Sequence, residues 1–258
     1  MNIHRVVSNL KRKFYDLRFY SLRPVVDLDD GRNLKGFEDV CVNYVEEIYK
    51  RKTELPSISF VYRLKDAERY LELSVLSVLP VASEVIFVDN GSTDGTRHII
   101  DKLMCDYGHV CKFKFDVYDE SVHRQGPTYQ DRLDKDPRGS LADYYNYCFS
   151  LAESDYVFKM DAHKYLLPVI FEHIQDRTRN NCSVVFIRGH DFFGRTISYE
   201  PLLYRNTPDI HYRDGEYYEY LDYTSQNLNQ ADLYRSRIDL KGFIHLKSLS
   251  YSSFLANK

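Results

Sequence analysis

The stretch EVIFVDNGSTDGT, residues 84–96, decides the fold of this chain. Its first six residues form a short apolar run rich in β-branched side chains, which is typical of a buried strand. The polar, glycine-containing residues 90–95 predict a turn, and the pattern from 96 to 107 indicates a helix. A strand that passes through a tight turn into a helix is the repeating unit of α/β proteins.

The same alternation continues on both sides of this stretch. We predict further strands at 57–62, 113–117, 156–160 and 183–188. Helices are predicted over 71–79, with Asp66 as a candidate cap, over 141–152, and from Pro168 to about Arg179. The polar residues 121–139 are predicted as a long loop. Together these elements predict an α/β fold with a mostly parallel central sheet and helices on both faces.

Residues 1–54 precede this alternation and are predicted to be an N-terminal helical extension of a single domain over 55–258. Residues 1–24 carry six Lys and Arg against one Asp, with apolar residues at helical spacing, and 37–52 predict a second helix. A basic amphipathic helix has two interpretations here. It contacts an anionic membrane surface, or it docks on the domain with its basic face in solvent.

Composition excludes several classes of protein. The 258 residues are 43% hydrophobic and 28% charged, which is typical of a globular chain rather than a disordered one. No apolar run is long enough to span a membrane, no secretory signal is visible, and a net charge of −3 gives no general attraction to nucleic acid. Five scattered cysteines predict reduced thiols and a cytoplasmic location. The basic segment 1–24 adds the cytoplasmic face of a membrane as an alternative location. The P-loop, GxGxxG and GxSxG motifs are absent from the sequence.

Three blocks of sequence resemble the family 2 glycosyltransferases with the GT-A fold. They are SISFVYRLKDAERYLELSVLSVL at 57–79, EVIFVDNGSTDGT at 84–96, and the stretch from Ala142 to YVFKMDAHKYLLP at 156–168. The resemblance covers roughly 56–190 well and 190–250 loosely, and 1–54 lie outside it. It implies a GT-A fold and transfer of a hexose from a nucleotide-sugar donor to a glycan or lipid-linked acceptor, as in polysaccharide biosynthesis.

The resemblance also implies a donor site. Tyr62 and Arg63 would flank the nucleotide base, Asp89 would accept a hydrogen bond from its ring N–H, and Gly91 and Ser92 would contact the donor. An alternative is that Asp89, Gly91 and Ser92 serve the turn itself.

The acidic motif that holds a divalent metal in this family aligns with Asp161, Ala162 and His163, followed by Lys164. The resemblance therefore implies Mn²⁺ or Mg²⁺ held by Asp161, His163 and His245, with Asp161 also in the donor site. Imidazole in place of a carboxylate is a departure from the family pattern. Two alternatives remain open. Lys164 or an arginine neutralises the diphosphate without metal, and His245 is a core residue.

An inverting transfer needs a general base near the acceptor hydroxyl. The segment YYEYL at 217–221 resembles a short acidic segment of one family branch, so Glu219 is the first candidate, ahead of Glu216, Asp191 and Asp214. The alternative is that these acids are simply solvated. We expect the loop at 121–139 to close over the donor.

Two other functions compete with glycosyl transfer. A GT-A domain that has lost turnover would bind nucleotide sugars or glycans as a scaffold, and the altered acidic motif favours this alternative. A sugar-phosphate nucleotidylyltransferase shares a similar sheet, but it prefers a glycine-rich loop after the first strand, and RLKDAE at 63–68 has no glycine.

Overall fold

The structure is a computed structural model that describes residues 46–191 and 193–248. The predicted basic helix at 1–24, and with it the possible membrane contact, lies outside the described residues and stays a prediction. Of the second predicted helix only 46–52 are described, and 46–51 are helical. No helix in the described part of the chain is both long and apolar enough to cross a membrane.

Ten strands are assigned in the described residues. They are β1 (Ile58–Leu64), β2 (Glu84–Asp89), β3 (Lys112–Val117), β4 (Tyr156–Met160), β5 (Lys164–Leu166), β6 (Val184–Asp191), β7 (Thr196–Arg205), β8 (His211–Asp214), β9 (Glu219–Asp222) and β10 (Arg237–His245). The α-helices that follow residue 51 are α1 (Leu71–Val78), α2 (Thr96–Tyr107), α3 (Tyr129–Lys135), α4 (Leu141–Ser150), α5 (Phe171–Arg179) and α6 (Gln230–Arg235).

Eight of the strands form one sheet in the order β3-β2-β1-β4-β7-β6-β10-β5, while β8 and β9 form a separate antiparallel hairpin. Strands β3, β2, β1 and β4 are mutually parallel, and β6 is parallel to β10. Strand β7 is antiparallel to both of its neighbours, and β5 is antiparallel to β10. Four of the seven pairings are therefore parallel, and the predicted α/β fold with a mostly parallel sheet is confirmed.

Helices cover both faces of this sheet, as predicted. Alternate residues of a strand point to opposite faces, so Phe60 and Tyr62 on β1 join a core with α1, α2 and α5, whereas Val61 joins a core with α4 and the β8–β9 hairpin. Residues 46–54, assigned to the extension, pack on the first of these cores. Ile48 is fully buried, and its carbonyl accepts a hydrogen bond from Gln175 on α5.

Two local predictions are wrong. The segment 121–139 is not one long loop, because it contains α3 and a 3-10 turn at Pro137–Gly139. Asp66 does not cap a helix, because α1 begins at Leu71. Asp66 instead adopts a positive φ of 50° and accepts a hydrogen bond from the Thr93 backbone N–H, so it ties two loops together.

Asp214, a candidate base, holds the start of α4 in place. Its carboxylate accepts hydrogen bonds from the Tyr129 hydroxyl, from the Ser140 hydroxyl at 2.6 Å and from the Ala142 N–H at 3.0 Å. A negative charge at a helix N-terminus is also favoured by the helix dipole. With its oxygens engaged in this way, Asp214 serves the fold.

We expect Asp214→Ala to lower the free energy of unfolding by about 2–3 kcal/mol, because hydrogen bonds to a charged group are lost and buried donors are left unpaired. Urea unfolding measures this change. Glu216→Ala is the matched control, since Glu216 lies exposed before β9, and its effect should stay within about 0.5 kcal/mol. Equal losses in the two variants would contradict the structural role of Asp214.

Candidate active site

The candidate site lies where parallel strands end. Strands β2, β1 and β4 are adjacent and run in the same direction, so their carboxyl ends share one edge of the sheet. Asp89 closes β2, Arg63 lies near the end of β1, and Asp161 directly follows β4. Ligands of open α/β sheets bind at this edge. Three of the predicted site residues are therefore brought to one place by the topology alone.

Asp161 is the centre of an ion-pair cluster. One carboxylate oxygen lies 2.7 Å from Nη2 of Arg63, and the other lies 3.1 Å from Nζ of Lys164. Lys164 also contacts Oε2 of Glu200 at 2.6 Å. Burial alone would raise the pKa of the Asp161 carboxyl, but the charges of Lys164 and Arg63 hold it well below its usual range.

The Arg63 guanidinium is also stacked on an aromatic ring. Its central carbon lies 3.7 Å from the centroid of Tyr145, a residue of α4, and its Nε is buried without a hydrogen-bond partner. The side chain is only 7% exposed. A planar cation held between a ring and a carboxylate cannot change rotamer freely, so Arg63 is a rigid part of the site.

Glu219 lies next to this cluster. Its carboxylate is 3.8 Å from Nζ of Lys159 on β4 and is hydrogen-bonded with the Tyr145 side chain. Burial and the charge of Arg63 lower the pKa of Lys159, while the charges of Asp161 and Glu219 oppose that shift. Of the four candidate bases, Glu219 is the one that the structure places beside Arg63 and Lys159.

The other candidate bases lie elsewhere. Asp191 accepts hydrogen bonds from the Phe193 and Arg195 backbone N–H groups and pairs with the Arg195 side chain at 3.0 Å, so it forms the turn after β6. Asp214 serves the start of α4, as described above. Glu216 is exposed between β8 and β9.

The loop after β2 is held by its own side chains. Asp89 accepts hydrogen bonds from both the backbone N–H and the hydroxyl of Ser92. Gly91 has a φ of +72°, which glycine adopts without strain, and a Cβ there would meet no atom within 4 Å. The structure therefore shows Asp89, Gly91 and Ser92 serving the turn itself, which is the alternative given by the sequence. Gly91 and Thr93 in this loop are exposed.

Tyr62 lies in the core, on the opposite face of the sheet from Arg63. Its side chain is fully buried, its ring packs 5.7 Å from that of Phe87, and its hydroxyl accepts a hydrogen bond from Ser74. Because β-strand side chains alternate, Tyr62 faces the α1 side while Arg63 faces the α4 side. The two residues therefore cannot flank one base together, and we omit Tyr62 from the donor contacts proposed below.

Residues 61–117 match the family model described as glycosyl transferase family 2. The matched segment runs from β1 to the end of β3 and includes the loop after β2, and over these residues the predicted resemblance is confirmed. No curated protein sequence matches this chain significantly.

Several solved glycosyltransferase structures are similar to this chain. S. aureus TarS in complex with UDP shows 17% identity and a TM-score of 0.49 over 73% of this chain and 60% of its own. Glucosyl-3-phosphoglycerate synthase from Mycobacterium tuberculosis, with Mn²⁺, UDP and phosphoglyceric acid, shows 15% identity and a TM-score of 0.35 over 57% and 47%. The mannosyltransferase PcManGT from Pyrobaculum calidifontis, with GDP-Man and Mn²⁺, shows 12% identity and a TM-score of 0.40 over 60% and 46%. This chain thus spans less than two thirds of the length of each.

The family 2 resemblance implies a metal site, which the ligand geometry tests. His163 and His245 lie together, with ring centroids 4.3 Å apart, because His245 pairs with Lys164 in the β10–β5 register. Both oxygens of Asp161 already contact cations. Within 46–191 and 193–248, no three His, Cys, Asp or Glu side chains are grouped to hold a metal ion. The described residues therefore do not fit a preformed divalent metal site.

A surface cavity of about 400 Å³ opens beside His245. Its lining includes the paired side chains of Asp191 and Arg195 together with Lys247, and Phe193 and Ile197 give it an apolar side. A larger cavity of about 570 Å³ lies at the opposite, amino-terminal ends of β6 and β10, near Cys182 and Arg237. The smaller cavity is the one next to the predicted site residues, and we assign it to the candidate site.

The pH dependence of stability is expected to depend on His163. Burial lowers its pKa to about 4 from an ordinary 6.5, although the charge of Asp161 opposes the shift. Between these two pH values the unfolded chain binds a proton that the folded chain does not, so stability falls as the pH falls. We expect the resulting loss in the free energy of unfolding to reach at most about 3 kcal/mol by pH 4.

The measurement is the free energy of unfolding between pH 7 and pH 4 for the wild-type protein and for His163→Gln. The variant should lose less stability over this window, because it cannot take up the proton. His98→Gln, at an exposed histidine on α2, is the control and should follow the wild-type curve. A His163→Gln curve parallel to that of the wild type would contradict the assignment.

Proposed function

We propose that this protein transfers a hexose from a nucleotide-sugar donor to a hydroxyl of a glycan or lipid-linked acceptor. The observation that carries the proposal is the buried cluster of Arg63, Asp161 and Lys164 at the same sheet edge as the loop of the matched family segment. Glycosyl transfer in general is supported by the family match. The donor class, the acceptor class and inversion at the anomeric carbon go beyond that match and are what we propose.

The donor is proposed to lie along the ends of β2 and β1. Asp89 would accept a hydrogen bond from the base, with Gly91 and Ser92 bringing the loop backbone close to it. Arg63 and Asp161 would form the polar floor of the site. This placement is supported by the rigidity of the loop and of Arg63, because preformed contacts lose little entropy when a ligand binds.

The transfer step is proposed to invert the anomeric carbon. The acceptor hydroxyl attacks that carbon, its proton passes to the Glu219 carboxylate, and the bond to the nucleoside diphosphate breaks with its electron pair on the diphosphate. Lys247, which lines the cavity beside His245, is a cation suited to meet the charge of the departing diphosphate. No step is assigned to a metal.

Donor binding is tested by thermal shift with UDP-, GDP-, dTDP- and CMP-sugars. A donor that binds only the folded state raises the melting temperature, and we expect one nucleotide class to do so. Asp89→Asn should weaken binding of that donor by about tenfold or more, because a neutral amide oxygen accepts a weaker hydrogen bond than a charged carboxylate does. Asp94→Asn, in the same loop, should keep the shift. A response of Asp89→Asn equal to that of the wild type would remove Asp89 from the donor site.

Turnover is tested separately with Glu219→Gln. We expect the rate of transfer or donor hydrolysis to fall by about a hundredfold to ten-thousandfold, while the donor-induced thermal shift is retained. Glu216→Gln is the control and should keep its rate. If the wild type itself binds a donor but neither transfers nor hydrolyses it with any acceptor tried, the scaffold alternative replaces the enzyme.

A further inference from the structure

Two carboxylates from neighbouring parts of the sheet converge on one side chain at the candidate site. Asp161 directly follows β4, and Glu200 lies on β7, the antiparallel neighbour of β4. Both carboxylates contact the side chain of Lys164. Two negative charges that meet at one point repel each other unless a cation lies between them.

Lys164 supplies that cation. Its Nζ lies 3.1 Å from Asp161 and 2.6 Å from Glu200, and its side chain is only 3% exposed. The backbone N–H of Lys164 also donates to the Asp161 carbonyl at 2.9 Å, so a tight turn fixes the ammonium beside the carboxylate. The Phe243 ring, 5.0 Å from Nζ, covers it further. The ammonium is thus held on several sides within the protein.

The surrounding cluster is balanced in charge. Each acid has a cationic partner within 4 Å, and the six residues are Asp161, Glu200, Glu219, Arg63, Lys159 and Lys164. A divalent ion at Asp161 would have to enter next to three cations or displace one of them. Removing a buried ammonium from its two carboxylates would leave uncompensated charge, which is costly.

We propose that Lys164 takes the place of a divalent metal between Asp161 and Glu200, so that the site forms and binds its donor without a metal ion. Donor binding without a metal ion rests on the proposed function. The replacement of the ion by Lys164 does not, because it concerns the protein alone. The ammonium is a compact point charge with three donors, and it satisfies two carboxylates as a small cation would.

The first test is titration of the wild-type protein with Mn²⁺ alone. Binding is measured as the loss of the electron paramagnetic resonance signal of the free ion. We expect no stoichiometric binding up to about 1 mM and no rise in melting temperature. Where a donor is found, its thermal shift should be the same in excess EDTA as with Mn²⁺. Stoichiometric Mn²⁺ binding without donor, or a donor shift that requires Mn²⁺, would overturn the proposal.

The second test is Lys164→Met, which removes the ammonium and leaves Asp161 and Glu200 close to His163 and His245. We expect this variant to melt lower than the wild type and to gain Mn²⁺ affinity by about a hundredfold, since a neighbouring positive charge is gone. A folded Lys164→Met protein with no gain in affinity would overturn the proposal.

Lys114→Met is the matched control. Lys114 also lies between two carboxylates, 2.9 Å from Glu84 and 2.8 Å from Glu153, but Lys112 contacts both acids and remains. This variant should gain no Mn²⁺ affinity. If Lys164→Met fails to fold, the wild-type titration and the EDTA comparison decide the proposal by themselves. If no donor binds under any condition, the proposed function fails while the Mn²⁺ titration still tests the role of Lys164.

Discussion

The candidate site depends on the carboxylate of Asp161, which is shared between Arg63 and Lys164. Arg63 comes from β1, Asp161 follows β4 and Lys164 begins β5, so this one interaction joins three parts of the sheet. The Arg63 and Lys164 side chains are 7% and 3% exposed, and that of Asp161 is 26% exposed. Removing one member of such an ion pair leaves a poorly solvated charge without its partner, which is costly. The site is therefore a closed set of charges rather than an open acidic patch.

The loop after β2 is a second rigid element at the same edge. Asp66 and Glu68, on the loop after β1, accept hydrogen bonds from the backbone N–H groups of Thr93 and Gly95. Together with the hydrogen bonds between Asp89 and Ser92, these contacts engage several residues of the 84–96 stretch in holding the loop in place. A loop fixed in this way presents its free groups at constant positions, which favours recognition of a rigid, planar base.

Much of the fold could be predicted from the sequence because its signals are local. The apolar runs at 84–89 and 156–160 coincide with β2 and β4, since a buried strand needs only a few consecutive apolar residues. The position of Asp66 and the helix α3 were missed, because loop contacts override weak local preferences.

The site was predictable only in part, for a physical reason. Asp89, Arg63 and Asp161 follow or end predicted strands, so parallel pairing brings them together. Glu200 gave no signal, because its contact with Lys164 joins β7 to β5, which are far apart in the sequence, and no local pattern reveals such a contact. Both oxygens of Asp161 contact Arg63 and Lys164, so the carboxylate that was expected to bind the metal is already occupied.

The most direct measurement is a crystal structure with Mn²⁺ and the nucleotide of the donor that the thermal-shift screen selects, with anomalous diffraction collected at the manganese edge. We expect density for this nucleotide along the ends of β1 and β2, with the Lys164 ammonium between Asp161 and Glu200 and no anomalous peak there. An anomalous peak bound to Asp161 with Lys164 turned away would contradict it.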